Sequence, residues 1–207
     1  RGNLGFPCFV FGVAAMGLVG MLLSKWFGPG FPLNRVVICL SRCVIKCWKD
    51  DRVFAVAIAL LAFCLRAGFA YKLNLAILDP TLLGGPDSGA YDQIAWELAS
   101  GQKGFFSPHL ALYTFNPGPC FFYASIYKFL GHRPDILRYA QAAIAAITVV
   151  MLFRLGNMWF GSVAARIGAI LIAGRGYLAV YSVYLGSETL GLFFATLLII
   201  VLHRIRK

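Results

Sequence analysis

Residues 84–102 read G-G-P-D-S-G-A-Y-D-Q-I-A-W-E-L-A-S-G-Q, and residues 113–119 read Y-T-F-N-P-G-P. They frame the longest polar interruption between apolar segments in this chain. The interruption holds Asp87, Asp92, Glu97 and His109, in a chain with only 8 acidic residues and 3 histidines. Gly84, Gly85 and Pro86 break any helix arriving from upstream. Asp87 or Ser88 can then cap a new helix by accepting a bond from an early backbone N–H. Tyr91, Ile94, Ala95, Leu98 and Ala99 follow at i, i+3, i+4, i+7 and i+8, the apolar face of a surface helix. Asp92, Gln93 and Glu97 fall on its solvated side, and Gly101 is placed to end it. Such a short helix is expected to lie on the membrane or on other helices, with Asp87 at its entrance.

Composition sets the surroundings of this loop. Of 207 residues, 60% are hydrophobic and only 13% charged, with a mean hydropathy of +0.77. That balance belongs to an integral membrane protein. The net charge of +11 then reports topology and contact with anionic membrane lipids; no basic stretch has the spacing of a nucleic-acid module. The six cysteines include no C-x-x-C pair, so neither a zinc site nor a redox motif is indicated.

Outward from the loop, the apolar segments read as about five spans. Leu4 to Ser24 is the first. Lys25 to Arg52 follows, with six basic residues interleaved with aliphatic ones and Trp48, as suits a helix lying in the cytoplasmic interface. Cys39, Cys43 and Cys47 recur along it every fourth residue, as small apolar filler on a buried face or as sites of acylation. Val53 to Tyr71 is the second span, and Arg66 within it is expected to face the bundle, an aqueous cavity or the far interface. Cys120 to Leu130 is too short to cross and reads as interfacial. Ile136 to Leu155, entered by Arg138 and Gln141, is the third span. Ser162 to Tyr184, with Arg175 inside it, is the fourth, and Glu188 to His203 the fifth. The fold class is therefore all-α, a polytopic transmembrane helix bundle with short interfacial helices in its first outer loop. Residues 1–52 form an N-terminal span and basic segment; residues 53–207 form the main region, with its outer loop at 74–135. If Lys25–Arg52 is cytoplasmic, the loop is on the periplasmic or other outer (or lumenal) side. Arg154 to Arg166 and the Arg204, Arg206, Lys207 tail are then cytoplasmic, and three basic clusters obey the positive-inside rule.

D-x-x-x-Y-x-x-I-A-x-x-L-x-x-G, here Asp87 to Gly101, resembles the first outer loop of GT-C glycosyltransferases. The nearest are the protein mannosyltransferases and bacterial aminoarabinose transferases (glycosyltransferase family 39-like). The resemblance continues through N-P-G-P-C-F-F-Y-A-S-I-Y-K-F-L-G (Asn116–Gly131), Arg138 with Gln141, R-L-G-N-M-W-F-G-S-V-A-A-R (Arg154–Arg166) and Y-L-G-S-E-T-L (Tyr184–Leu190). Such families move a sugar from a polyprenyl-phosphate carrier to an acceptor on the outer membrane face. The resemblance implies that Asp87 acts as base on the acceptor hydroxyl or helps hold a divalent metal; no other metal ligand is indicated. Attack at an anomeric carbon needs a proton acceptor, and the departing lipid phosphate needs cations. Arg66, Arg138 and Arg175 are the cations available, and Glu188 is a further candidate at the same site. Each has a plainer alternative: Asp87 as a helix cap, Glu188 as a helix-start residue favoured by the dipole, Arg138 as an interface anchor. Many relatives carry a second acid directly after the loop aspartate; here that position is Ser88. Relatives also have more spans, so the chain is expected to be a truncated homologue, inactive as a transferase alone. The competing expectation is a non-catalytic accessory subunit whose small-residue faces pack against other membrane subunits.

Overall fold

The computed structural model describes Trp48 and residues 50–76, 86–102 and 116–206. The expected first span, most of the basic segment with its three cysteines, and His109 lie outside the described residues. Among the described residues the chain is all-helical, with α1 at Asp51–Ala76, α2 at Pro86–Ala99, α3 at Pro117–Leu130, α4 at Pro134–Phe160, α5 at Ser162–Gly174, α6 at Gly176–Tyr181 and α7 at Glu188–Ile205.

The chain divides into two compact units, Arg1–Phe54 and Ala55–Lys207. In the first, Asp50 caps α1: its Oδ1 accepts from the Arg52 N–H at 2.8 Å and the Val53 N–H at 3.4 Å. Trp48 meets Phe54 edge to face, with ring centroids 6.3 Å apart.

Among the described residues, three helices are long and apolar enough to cross a membrane: Asp51–Lys72, which begins in the first unit, and Pro134–Phe160 and Glu188–Ile205 in the second. The chain thus has the makings of an integral membrane protein. Along α1, Ile58, Ala62, Arg66 and Ala70 recur every fourth residue as a buried stripe, while Leu60, Leu61, Leu65 and Phe69 face outward. Small residues recur on the buried side of α4, including Ala142, Ala145 and Ala146, and let its neighbours α5 and α7 come close. Gly156 of α4 illustrates the fit, since a Cβ there would lie 3.3 Å from the Ala165 Cβ of α5.

The interval expected as one span, Ser162–Tyr184, is two helices. Arg175 stands between them in an extended conformation, exposed. The cause is local: glycines at 174 and 176 flank it and weaken the helix at that point. The 13 residues of α5 extend only about 20 Å, short of the roughly 30 Å hydrocarbon layer.

Helices α4 and α7 run parallel. At one end Gln141 of α4 and Gly186, just before α7, meet on the same tyrosine, Tyr123. At the other, Trp159 of α4 donates to His203 of α7 at 3.5 Å. The chain therefore returns along the bundle between them, and α5 and α6 carry it. Gly161 makes the sharp reversal from α4 to α5 at φ +84°, a left-handed conformation that costs glycine little.

Candidate functional site

Helices α2 and α3 pack together beside the starts of α4 and α7. Pro86 opens α2, and Gly101 follows its end at φ +73°. Pro117 and Pro119 open α3, and Gly131 ends it at φ +76°, its N–H donating to the Tyr127 carbonyl. Tyr91, Ile94 and Ala95 of α2 are buried against Cys120, Tyr123, Ala124 and Tyr127 of α3. Tyr91 meets Tyr123 edge to face at 6.3 Å.

Asp92 departs from expectation. It is 6% exposed rather than part of a solvated face. Ser88, Tyr91, Asp92 and Ala95 form the buried stripe of α2, at i, i+3, i+4 and i+7. One carboxylate oxygen of Asp92 accepts from the Tyr127 hydroxyl; the other lies 2.9 Å from His132 Nε2, which donates to it. Trp96 stacks on the His132 ring at 4.9 Å and an interplanar angle of 21°, and Tyr127 presents an edge at 5.0 Å. Burial, then the bond to Asp92, pushes the Tyr127 hydroxyl far above the usual phenol range. His132, Tyr123 and Tyr127 were not apparent as a group from sequence. The one signal was the i, i+4 spacing of two tyrosines on an otherwise apolar helix.

One helical turn from Tyr127, Tyr123 organises a second buried set. Its hydroxyl donates to the Gly186 carbonyl at 2.6 Å and accepts from the Gly186 N–H at 3.2 Å and from Gln141 Nε2. The Glu188 carboxylate lies against Gly186 so closely that a side chain at 186 would displace it. Glu188 itself is the first residue of α7, as its sequence context indicated.

Arg66 and Glu188 share a cavity of about 60 Å3. Ser182, Thr148 of α4, Tyr181 of α6 and Thr189 of α7 also border it, but its accessible wall is almost wholly apolar. Arg66 is 2% exposed. Its Nη1 donates to Ala62 at 3.0 Å and to Ala173 at 3.4 Å. The second bond is a cation on an orphan carbonyl at the C-terminus of α5, where the helix breaks. Arg66 Nε is buried with no partner among the described residues.

Among the described residues, the other expected site residues make no bond to one another. Asp87 is exposed in the first turn of α2. Arg138 is 2% exposed on α4, and Nη1 donates to Asn74 Oδ1. Its Nε and Nη2 are buried without partners among the described residues. Arg175 is exposed at the α5–α6 break. Among the described residues, Asp87, Arg138 and Glu188 make no hydrogen bond or ion pair with one another. Nor do three His, Cys, Asp or Glu side chains among them group as a metal site would require.

Comparison with family models, curated proteins and solved structures gives no match for this chain. What stands is its class: a protein that is all-helical among the described residues, with three helices long and apolar enough to cross a membrane, buried arginines, and a paired helical hairpin.

Proposed function

We propose that the chain is a GT-C-like membrane protein that binds a polyprenyl-phosphate sugar, with Asp87 facing the acceptor. The observation that carries this reading is Arg138. Its guanidinium is buried with two donors unpartnered among the described residues; the charges of Asp92 and Asp135 favour it without bonding those donors, which leaves them for an anion to accept from. Arg138 sits at the start of α4, beside the α2–α3 hairpin that bears Asp87. The phosphate of a carrier lipid has the charge and the acceptor oxygens to satisfy it. Arg66, Arg175 and Glu188 are the further groups this reading draws on. Membrane topology belongs to the same proposal: about five crossings, with α5 and α6 together as one broken crossing. The loop over residues 74–135 is then outer, periplasmic or lumenal, and the C-terminus cytoplasmic. The parallel run of α4 and α7 supports that count.

A second reading, a non-catalytic subunit seated against other membrane subunits, is favoured by α7. Only 17% of its span is buried, against 50% for the span of α4. Leu192, Phe194, Leu198 and Leu202 are left facing lipid or a partner helix.

The test uses the purified chain in lipid nanodiscs. A short-chain polyprenyl phosphate should bind at least about tenfold more tightly than the polyprenol of equal length, a difference of about 1.4 kcal/mol. Arg138→Gln should erase that preference. Equal binding of phosphate and alcohol by the unaltered chain would overturn the reading. Sugar transfer that disappears in Asp87→Asn would make Asp87 catalytic; carrier binding without transfer would favour the subunit.

A further inference from the structure

The end of the α4–α7 pair away from the hairpin carries an inference that does not depend on sugar transfer or on Arg138. Trp159 of α4 and His203 of α7 fasten the two helices there. The indole N–H donates to His203 Nδ1 at 3.5 Å, and the ring centroids are 6.3 Å apart. That contact joins the neighbours of each partner into one surface. On α4 these are Phe160, 73% exposed, and the open part of Trp159 itself, 49% exposed. On α7, Ile205 is 77% exposed and stands between two exposed arginines, Arg204 and Arg206. Neither arginine forms an ion pair among the described residues. Arg154, also exposed on α4, lies about 8 Å along the axis from Trp159. Along α4 to α7 the acids are Asp135 and Glu188 alone, each in the opening turn of its helix, at the hairpin end. About 24 Å of helix separates Glu188 from Arg204, so it does not neutralise this patch.

Large apolar side chains and unneutralised guanidiniums alternate here, at the ends of two helices long and apolar enough to cross a membrane. Aromatic side chains at such ends sit where hydrocarbon gives way to headgroups. Arginines at that level reach phosphate oxygens with charge-assisted, bidentate bonds while their stems stay in the apolar layer. A soluble acidic partner would match the charge and leave Phe160 and Ile205 in water. A partner helix would cover Phe160 and Ile205 and leave the arginines without an anion. We propose that the Trp159–His203 junction is a binding site for an anionic phospholipid. Arg204 and Arg206 hold its phosphate, and the upper part of its chains packs on Trp159 and Phe160. Arg154 adds to the positive field without being needed as a direct contact. The site is a local one: the preference belongs to this junction and not to the net charge of the chain as a whole.

Quenching of Trp159 fluorescence by brominated lipids tests this in the full chain with its other tryptophans, Trp26, Trp48 and Trp96, changed to phenylalanine. The chain is reconstituted in phosphatidylcholine vesicles that carry a minor fraction of brominated phosphatidylglycerol or of brominated phosphatidylcholine with the same chains. The junction should favour phosphatidylglycerol by at least about fivefold, the worth of one basic residue at an anionic surface. Arg204→Gln together with Arg206→Gln should bring that preference close to one, whereas Lys128→Gln, which removes a charge from the hairpin, should leave it intact. Quenching by brominated phosphatidylcholine should be the same before and after the double change, since Trp159 keeps its place. Equal quenching by the two lipids with both arginines present overturns the proposal. So does a preference that survives the double change, or one that falls as far with Lys128→Gln, because net charge would then be the cause. Quenching by neither lipid would place Trp159 outside the bilayer and overturns the site as well. None of these outcomes bears on Arg138, so the carrier-lipid reading stands or falls separately.

Discussion

Cys120 sits at the start of α3 with no exposed surface, and burial pushes its thiol up to about 11 from an ordinary 9.0. A thiol held that far above its ordinary range carries about a hundredfold less of the reactive thiolate in neutral to mildly alkaline solution. Cys120 should therefore alkylate at least about a hundredfold more slowly in the folded chain than after unfolding in detergent at pH 8. Equal rates in the two states would show that the α2–α3 hairpin is open. The raised value also carries a stability consequence with a definite sign. The fold holds the protonated thiol, so its contribution is complete below about pH 9 and is lost as pH rises through about 11. Tyr127, raised by burial and by Asp92, acts in the same direction at still higher pH. Asp92 itself shows how a residue escapes a reading by periodicity. Positions 88, 91, 92 and 95 are as good a helical stripe as 91, 94, 95 and 98. The hydroxyl of Tyr127 and the ring of His132, 35 and 40 residues away, and the nearby charge of Arg138 make burial of its carboxylate tolerable. Those partners are invisible to a window that spans one helix.

Helices and their ends were legible where glycine and proline punctuate them. Gly101 and Gly131 close α2 and α3 where expected, and α3 is indeed too short to span. The break at Arg175 was also written in the sequence, as Gly174 and Gly176, but continuous apolarity outweighed it in a reading by hydropathy. The contact of Arg66 with the broken end of α5 had no such sign, because it joins residues 107 apart. The α4–α5 pair offers a direct test of how these elements are held. Gly161→Ala places a Cβ on a residue at φ +84° and ψ 166°, a region open essentially to glycine alone, and should cost roughly 1–3 kcal/mol. Gly156→Leu drives a side chain against Ala165 and should cost roughly 1–3 kcal/mol by overpacking. Gly168→Ala, with open space around it, should be close to neutral or stabilising and serves as the control. The readout is unfolding of the purified protein in mixed detergent. A Gly156→Leu variant as stable as the Gly168→Ala control would mean that α4 and α5 are not packed as described.

At the scale of the whole molecule, the decisive feature is that α4 and α7 are parallel. Two neighbouring spans that point the same way need a return path through the bundle thickness, and α5 with α6 is the only chain between them. Neither half is long enough to cross alone, and together they are interrupted at Arg175. Broken crossings are tolerated in a membrane where the freed backbone groups find partners in the protein, as the Ala173 carbonyl does on Arg66. The alternative is a chain with three crossings, α1, α4 and α7, in which α5 and α6 stay on one face. The two arrangements differ in one observable. If α5 and α6 cross together, α4 and α7 traverse in the same direction, and the hairpin and the C-terminal end of α7 lie on opposite faces. If they do not cross, α7 runs back and both lie on the same face. Cys120 is too deeply buried to report this, so the labels belong at exposed positions, Lys128→Cys on α3 and Arg204→Cys on α7, each in a background without native cysteines. An impermeant maleimide applied to sealed, right-side-out vesicles should modify Lys128→Cys and leave Arg204→Cys untouched until the membrane is permeabilised. Modification of both before permeabilisation would remove the broken crossing. The reverse pattern, Arg204→Cys alone, would keep the crossing and invert the proposed orientation, placing the hairpin with Asp87 on the cytoplasmic face.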